Sequence, residues 1–406
     1  MPAHAAPPPP PAAVTAGVPT PTSFLWGAAT SAHQTEGNNV GSDLWALEVR
    51  PDSPLSEPSG DACDSYHRWP EDLDIVRDLG LNAYRFGIEW ARIEPAPGRV
   101  SQAALGHYRR VIDGCLERGI TPVVTLHHFT SPAWFRASGG WTAPGGVEAF
   151  ARYVRAVRPI LDGVTWACTI NEPNMLAMVA ARVGGADPDL VAGALPPPDQ
   201  SLAEALIRAH HAACGELADV GGLRTGWTVA NQTFQALPGA EEATREWAWS
   251  REDQFLDAAR HDDFIGVQAY TRVVIGPDGP VAPDPTTRRT QTGWEFYPEA
   301  LEAAVRHTAA RIPTPILVTE NGIATDNDDE RREYLHHALA GLGRALADGV
   351  DVRGYLHWSL LDNYEWGSWH ATFGLTAVDR RTFRRVVKPS AHWYGRLARA
   401  RRLPGA

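Results

Sequence analysis

Lysine is almost absent from this sequence of 406 residues. Lys388 is the only lysine among 37 lysine and arginine residues, and it lies in the segment VVKPS, which we interpret as a solvated turn. Aldolases that form a Schiff base and enzymes that use pyridoxal phosphate need a buried lysine. A phosphate-binding loop of the GK[ST] type needs a lysine as well. The sequence therefore excludes these classes of protein.

Cysteine is also scarce, and the four cysteines do not form a CxxC pair. Cys115 and Cys168 lie in apolar segments, so we predict that they are small core residues. Cys63 lies in DACDSYH, but one cysteine and one histidine do not make a metal site. The pattern predicts no disulfide framework and favours a reduced, cytoplasmic setting.

Long hydrophobic runs are missing, because no stretch approaches the 18 apolar residues of a membrane-spanning helix. Residues 1–22 are rich in proline and alanine and lack the basic and apolar parts of a secretory signal. We predict a disordered tail at 1–22 and one folded domain at 23–406. The net charge of -11 argues against nucleic acid and against an anionic membrane as partners. Nothing in the sequence bears on the number of subunits.

From residue 24 onward, short β-rich runs alternate with amphipathic helical segments. The segment 101–118 has apolar residues at helical spacing, and the run TPVVTLHH at 121–128 is short and β-branched. Repeated β-α units predict a parallel sheet, and about eight of them predict a closed barrel, so we predict a single (β/α)8 TIM barrel of the α/β class. The strand-like runs begin near residues 24, 82, 121, 164, 223, 263, 314 and 352.

Two glutamates follow predicted strands of this barrel. Glu172 comes just after the fourth run, VTWACTI, and Glu320 comes just after the seventh, PILVT. Either glutamate alone could cap the next helix. Two glutamates at one rim favour a reaction that uses a pair of carboxyl groups, because catalytic residues of such barrels lie at the carboxyl ends of the strands. Glycoside hydrolysis uses such a pair, with retention at a separation of about 5–5.5 Å and inversion at about 6.5–9.5 Å.

Several longer motifs resemble glycoside hydrolase family 1, the β-glucosidase family. The resemblance runs from about Phe24 to about Tyr394, nearly the whole chain. The motifs are FLWGAATSAHQTEG (24–37), DACDSYHRWPEDLDIVRDLGLNAYRFGIEWARIEP (61–95), TINEP (169–173), VTENG (318–322) and YLHWSLLDNYEW (355–366). The resemblance implies a retaining, exo-acting enzyme that cleaves a terminal sugar from a neutral β-glycoside or oligosaccharide. It implies no cofactor and no metal.

The resemblance also implies catalytic roles. Glu172 matches the general acid/base of the family, and Glu320 matches its nucleophile. Arg85 is similar to the arginine that keeps the nucleophile ionised, as an adjacent cation does. Tyr270 is similar to the tyrosine that hydrogen-bonds the nucleophile, and Asn171 to the residue that holds the sugar 2-hydroxyl.

The positions for the non-reducing sugar follow from the same resemblance. Amides and carboxylates can bind sugar hydroxyls, and a tryptophan face can cover the apolar C–H surface of a pyranose. Family members that act on 6-phosphorylated sugars lack the glutamate at position 365, so a neutral sugar is implied. The residues at these positions are Gln34, His128, Trp358, Glu365 and Trp366.

Three features depart from the family pattern. Gln268 stands where an asparagine is usual, which can shift the local geometry. His127 and His128 stand together where many members have one histidine, and we assign the sugar contact to His128 by register with Phe129. The segments 174–200 and 272–297 are rich in glycine or proline. Because βα loops shape the site of the leaving group, the aglycone is not predicted.

Other functions use the same residues differently. A metal-dependent barrel hydrolase would need His127 and His128 at one ion, but adjacent residues of a strand point to opposite faces. A non-catalytic sugar-binding relative would not need both Glu172 and Glu320. An enzyme that cuts internal bonds would need an open cleft. The alternatives kept on the same site are β-galactosidase or β-fucosidase specificity and transglycosylation.

Overall fold

Eight parallel strands close into a barrel, which confirms the predicted fold. The computed structural model describes residues 17–183 and 195–405 of the chain. Each barrel strand pairs with the next along the chain, and the last pairs with the first. The strands are β1 (Leu25–Ala29), β2 (Ala83–Gly87), β3 (Thr121–Thr125), β4 (Trp166–Asn171), β5 (Arg224–Ala230), β6 (Ile265–Gln268), β7 (Ile316–Glu320) and β8 (Val352–Trp358).

Helices surround the barrel and connect its strands. The principal ones are α1 (Ser65–Leu79), α2 (Gln102–Glu117), α3 (Gly146–Val157), α4 (Gln200–Leu217), α5 (Glu241–Ala248), α6 (Ala300–Arg311), α7 (Asp328–Ala347) and α8 (Pro389–Ala400). Further helices cover Ala32–Thr35, Asp43–Glu48, Trp90–Ile93, Ala133–Ala137, Pro173–Val183 and Gln254–Ala258. None of the helices in the described ranges is long and apolar enough to cross a membrane.

Helix α2 shows how the local sequence specifies these elements. The Ser101 hydroxyl caps its first turn by accepting a hydrogen bond from the backbone N–H of Ala104, at 3.2 Å. Leu105, Tyr108 and Ile112 lie at helical spacing and are buried. The helix therefore begins where a cap is available and presents one apolar face to the barrel.

The core has two layers because side chains of a strand alternate between the two faces of the sheet. In β1, Leu25 and Ala29 belong to the smaller apolar cluster, which lies inside the barrel. Trp26 and Ala28 belong to the larger cluster between the strands and the helices. The carboxyl ends of the strands meet at one rim, where the βα segments begin.

The two described ends of the chain pair with each other. Val18 and Pro19 form an antiparallel pair with Arg402 and Leu403. The predicted tail, 1–22, therefore ends earlier than expected, because Val18 and Pro19 belong to a sheet. Residues 1–16 lie outside the described residues, and the prediction for them stays a prediction.

The interpretation of Lys388 as a solvated turn was wrong. Its Nζ donates a hydrogen bond to Asp362 Oδ1 at 2.8 Å, and only 15% of its side chain is exposed. Burial lowers the pKa of Lys388, while the Asp362 carboxylate opposes that shift. No local pattern indicates this pairing, because Asp362 lies 26 residues earlier in the chain. Cys115 and Cys168 are buried free thiols, as predicted.

Candidate active site

Both predicted catalytic glutamates follow an irregularity in the barrel. The pairing of β4 with β5 shifts register between Cys168 and Asn171, and the pairing of β7 with β6 shifts between Val318 and Glu320. Glu172 has a φ of 44°, in the left-handed region that residues other than glycine rarely adopt. Irregular strands and strained backbone re-aim side chains and concentrate at functional sites. The two carboxyl groups therefore leave the regular alternation of their strands.

The carboxylate of Glu320 has a hydrogen-bond donor on each oxygen. Arg85 Nη1 donates to Oε1 at 2.5 Å, and the Tyr270 hydroxyl donates to Oε2 at 2.7 Å. Glu320 is buried, with 4% of the residue exposed. A cation and a hydroxyl that point at both oxygens stabilise the ionised form.

Arg85 holds several strands of the barrel together. Its Nε donates to Thr125 Oγ1 at 2.9 Å, and its Nη2 donates to Asn171 Oδ1 at 2.5 Å. With its bond to Glu320, the guanidinium joins residues of β2, β3, β4 and β7. The residue is completely buried, so its charge depends on these partners. The fold thus brings together Arg85, Asn171, Tyr270 and Glu320, which the sequence analysis selected.

Glu172 is buried in a different environment. Among the described residues, no side chain donates a hydrogen bond to its carboxyl group. Burial raises the pKa of Glu172 well above its usual value, and the charge of Glu320 raises it further, while Arg85 opposes the shift. Burial also raises the pKa of Glu320, but Arg85 and Tyr270 oppose that shift directly. Of the two carboxyl groups, Glu172 is the one that the surroundings favour in its protonated form.

Aromatic rings form one wall beside the carboxyl groups. The His128 ring stacks on Trp358 with centroids 5.8 Å apart and on Trp366 with centroids 6.0 Å apart. His127 instead places its Nε2 3.0 Å from the Ser131 hydroxyl. The two histidines therefore face different surroundings, and His128 is the one that lies with the predicted sugar-binding tryptophans.

Glu365 joins this wall through two donors. Its carboxylate accepts hydrogen bonds from Gln34 Nε2 and from Trp358 Nε1, each at 3.2 Å. Gln34 is fixed in turn by Ser31, which donates to its Oε1 at 2.6 Å, and by Asn363, which accepts from its Nε2 at 3.0 Å. Burial raises the pKa of Glu365 to about 8, while the donors oppose that shift. The predicted sugar-binding residues therefore form one connected set.

Two residues of the site were not selected as site residues from the sequence. Thr228 Oγ1 and Gln268 Nε2 each donate to Asn171 Oδ1 at 3.0 Å. Gln268 had been noted only as a departure from the family pattern. Gln268 ends β6 as Glu320 ends β7, whereas Thr228 lies inside β5. Only the closed barrel reveals that both side chains donate to Asn171.

One group of potential metal ligands occurs in the described part of the chain, away from this set. It consists of His210, Cys214 and Asp262. The ring nitrogens of His210 already have partners, Thr169 Oγ1 at 2.7 Å and Asp262 Oδ1 at 3.2 Å. The Cys214 sulfur lies 3.8 and 3.9 Å from the two nitrogens, which places it over the ring and not along a nitrogen lone pair. We interpret the group as structural.

Comparison with known proteins agrees with the geometry. The family model described as "Glycosyl hydrolase family 1" matches residues 18–265 and 240–403. The chain is 31% identical to "Beta-glucosidase A" of Thermotoga maritima, over 93% of this chain and 97% of that protein. It is 32% identical to the "Bifunctional beta-D-glucosidase/beta-D-fucosidase" of Bifidobacterium breve, over the same two shares.

Solved structures are similar over nearly their whole length. A beta-glycosidase crystal structure is 43% identical, with a TM-score of 0.87, and the match covers 96% of this chain and 99% of that one. The beta-glucosidase from Thermotoga maritima in complex with deoxynojirimycin is 29% identical, with a TM-score of 0.85, and the match covers 95% and 100%. Sequence and fold agree, and the chain belongs to glycosyl hydrolase family 1.

Proposed function

We propose that this β-glycosidase is a retaining, exo-acting enzyme that hydrolyses terminal β-glucosides, with Glu320 as nucleophile and Glu172 as acid/base. The observation that carries the proposal is the unequal environment of the two carboxyl groups. Glu320 accepts hydrogen bonds from Arg85 and Tyr270, whereas burial and the nearby charge raise the pKa of Glu172. An ionised group next to a protonated group is what the first step of a retaining mechanism needs.

In the first step, Glu320 attacks the anomeric carbon while Glu172 gives its proton to the departing oxygen. The bond from carbon to the leaving group breaks, and a covalent ester to Glu320 forms. The new ester removes the negative charge of Glu320, which had raised the pKa of Glu172. Glu172 therefore becomes a stronger acid after it has lost its proton.

In the second step, Glu172 acts as a base. It takes a proton from water, the water oxygen attacks the anomeric carbon, and the ester to Glu320 breaks. Glu172 is protonated again and Glu320 is ionised again, so the cycle closes. An alcohol in place of water would give transglycosylation, which is an alternative outcome on the same site.

The proposed sugar pocket combines stacking and hydrogen bonding. Trp358 and Trp366 would cover the apolar face of the ring, and His128, Gln34 and Glu365 would bind its hydroxyl groups. Glu365 offers no positive charge to a phosphate group, which favours a neutral sugar over a phosphorylated one. Relatives are named for glucosides and, in one case, also for fucosides, so β-glucoside is the proposed substrate and β-fucoside or β-galactoside the alternative.

Two measurements test the proposal. Proton NMR of the first sugar released from nitrophenyl β-glucoside should show the β-anomer, and an α-anomer would contradict retention. Relative kcat/KM for nitrophenyl β-glucoside, β-fucoside and β-galactoside then ranks the sugars. A β-glucoside that is not hydrolysed at all would contradict the proposed substrate.

A further inference from the structure

The side-chain amide of Asn171 has unequal partners at its two ends. Its Oδ1 accepts three hydrogen bonds, from Arg85 at 2.5 Å and from Thr228 and Gln268 at 3.0 Å each. Its Nδ2 is buried and has no hydrogen-bond partner among the described residues. Buried N–H groups are rarely left unpaired in proteins, and an exception calls for an explanation.

The orientation of this amide follows from the chemistry of its donors. A guanidinium has only donors, so the group that faces Arg85 Nη2 must be the oxygen of Asn171. A reversed amide would place N–H groups against Arg85 and would leave buried donors without acceptors. The Nδ2 of Asn171 is then the end of the amide that remains free for a substrate.

We propose that Thr228 and Gln268 are positioning residues that fix the Asn171 amide and thereby set the preference of the enzyme for a substrate 2-hydroxyl. The inference rests on the proposed function, in which Asn171 binds that hydroxyl. Thr228 lies on β5, which pairs with β4, and Gln268 lies at the end of β6, which pairs with β5. Each contributes one hydrogen-bond donor to Asn171 Oδ1. Together with Arg85 on β2, the donors that hold the amide oxygen therefore come from three strands.

Gln268 has a second link to the reacting groups. It is 1% exposed, and its buried Oε1 has no hydrogen-bond partner in the part of the chain that the structure describes. Its donor end faces Asn171 Oδ1, and the Gln268 amide also contributes to lowering the pKa of Glu320. Thr228 meets Glu172 only through its backbone carbonyl, which a side-chain substitution keeps. A change of the Thr228 side chain therefore isolates the effect on Asn171.

The test compares two substrates, nitrophenyl β-glucoside and its 2-deoxy analogue. Thr228→Val keeps the shape of the side chain but removes the donor, and Gln268→Met removes the other. The measured quantity is kcat/KM for the β-glucoside divided by kcat/KM for the 2-deoxy analogue. This ratio should fall by roughly three- to tenfold in each variant, which is the effect of one hydrogen bond. The 2-deoxy substrate cannot use Asn171 Nδ2, so its kcat/KM should change little in Thr228→Val.

The ratio does not depend on how much of a variant is folded, because both substrates meet the same active molecules. Thr228→Ser keeps the hydroxyl and should keep the wild-type ratio. Thr169→Val is the matched control, since the Thr169 hydroxyl on β4 bonds His210 in the outer layer. It should leave the ratio unchanged.

A ratio within twofold of wild type in both Thr228→Val and Gln268→Met would overturn the inference. An equal fall in Thr169→Val would overturn it too, because general damage to the barrel would then explain the result. If the wild-type protein hydrolyses neither substrate, the proposed function fails instead, so the two failures are distinguishable.

Discussion

Glu172 and Glu320 are the same residue type at the ends of two barrel strands, yet their surroundings differ. Glu320 has Arg85 and Tyr270 on its two oxygens, whereas no described side chain donates to Glu172. Both are buried, so burial alone does not separate them. The difference teaches that donors, and not burial, distinguish the two glutamates, and the proposed ionised role of Glu320 and protonated role of Glu172 rest on it.

Removal of Glu320 should have the largest effect. Glu320→Ala should lower kcat by on the order of 10⁴-fold or more, because no other group can form the covalent intermediate. Sodium azide should restore turnover and yield the α-glycosyl azide, since azide then attacks from the side of the missing carboxylate. Product NMR measures the configuration, and a β-azide from this variant would mean that the two roles are reversed.

Removal of Glu172 should have a smaller effect that depends on the leaving group. Glu172→Ala should lower kcat/KM by roughly 10²–10⁴-fold for an alkyl β-glucoside, which needs a proton on its departing oxygen. The substitution should lower kcat/KM far less for a dinitrophenyl β-glucoside, whose leaving group needs no acid. Equal losses on both substrates, measured by steady-state kinetics, would contradict the acid role.

Removal of one hydrogen-bond donor to Glu320 should make the surroundings of the two glutamates more alike. Tyr270→Phe removes a hydrogen bond to a charged group, which corresponds to about 1.5–3 kcal/mol and therefore roughly 10–100-fold in kcat/KM. The control is Tyr394→Phe, because that hydroxyl donates to backbone carbonyls of Gly27 and Tyr355 in the outer layer. A similar loss in both variants would argue against a specific role for Tyr270.

The smallest expected effect is on the titration of Glu172. Burial and the Glu320 charge raise the pKa of Glu172, so its proton is lost only as pH rises through that raised value. The basic limb of a bell-shaped profile of kcat/KM should follow this loss. Glu320→Gln removes the neighbouring charge and should lower the pKa of Glu172, measured by carboxyl carbon NMR. An unchanged pKa would show that the two groups do not interact.

The order of strands and helices could be predicted from the sequence because the signals are local. The apolar face of α2 and the buried run of β7 show the periodicities of a helix and of a fully buried strand. The placement of Glu172 and Glu320 at one rim also followed, since parallel strands of a barrel end at the same face. The pairing of Val18, which lies inside the predicted tail, with Leu403 could not be predicted, because the two residues lie far apart in the sequence.

The partners of the site residues could not be predicted from local patterns. Only the family resemblance implied that Arg85 lies beside Glu320. Arg85 and Glu320 are 235 residues apart, and Gln34 and Glu365 are 331 residues apart. No local pattern reports such contacts. The role of Gln268 beside Asn171 and the burial of Lys388 against Asp362 were missed for the same reason.

The sequence by itself determined the alternation of strands and helices, the closed barrel and the two glutamates at its rim, because periodicity and strand ends depend on residues that are neighbours in the sequence. Only the tertiary structure decided that Lys388 lies against Asp362 and which way the Asn171 amide faces. These properties depend on charges and donors that distant segments bring together when the barrel closes.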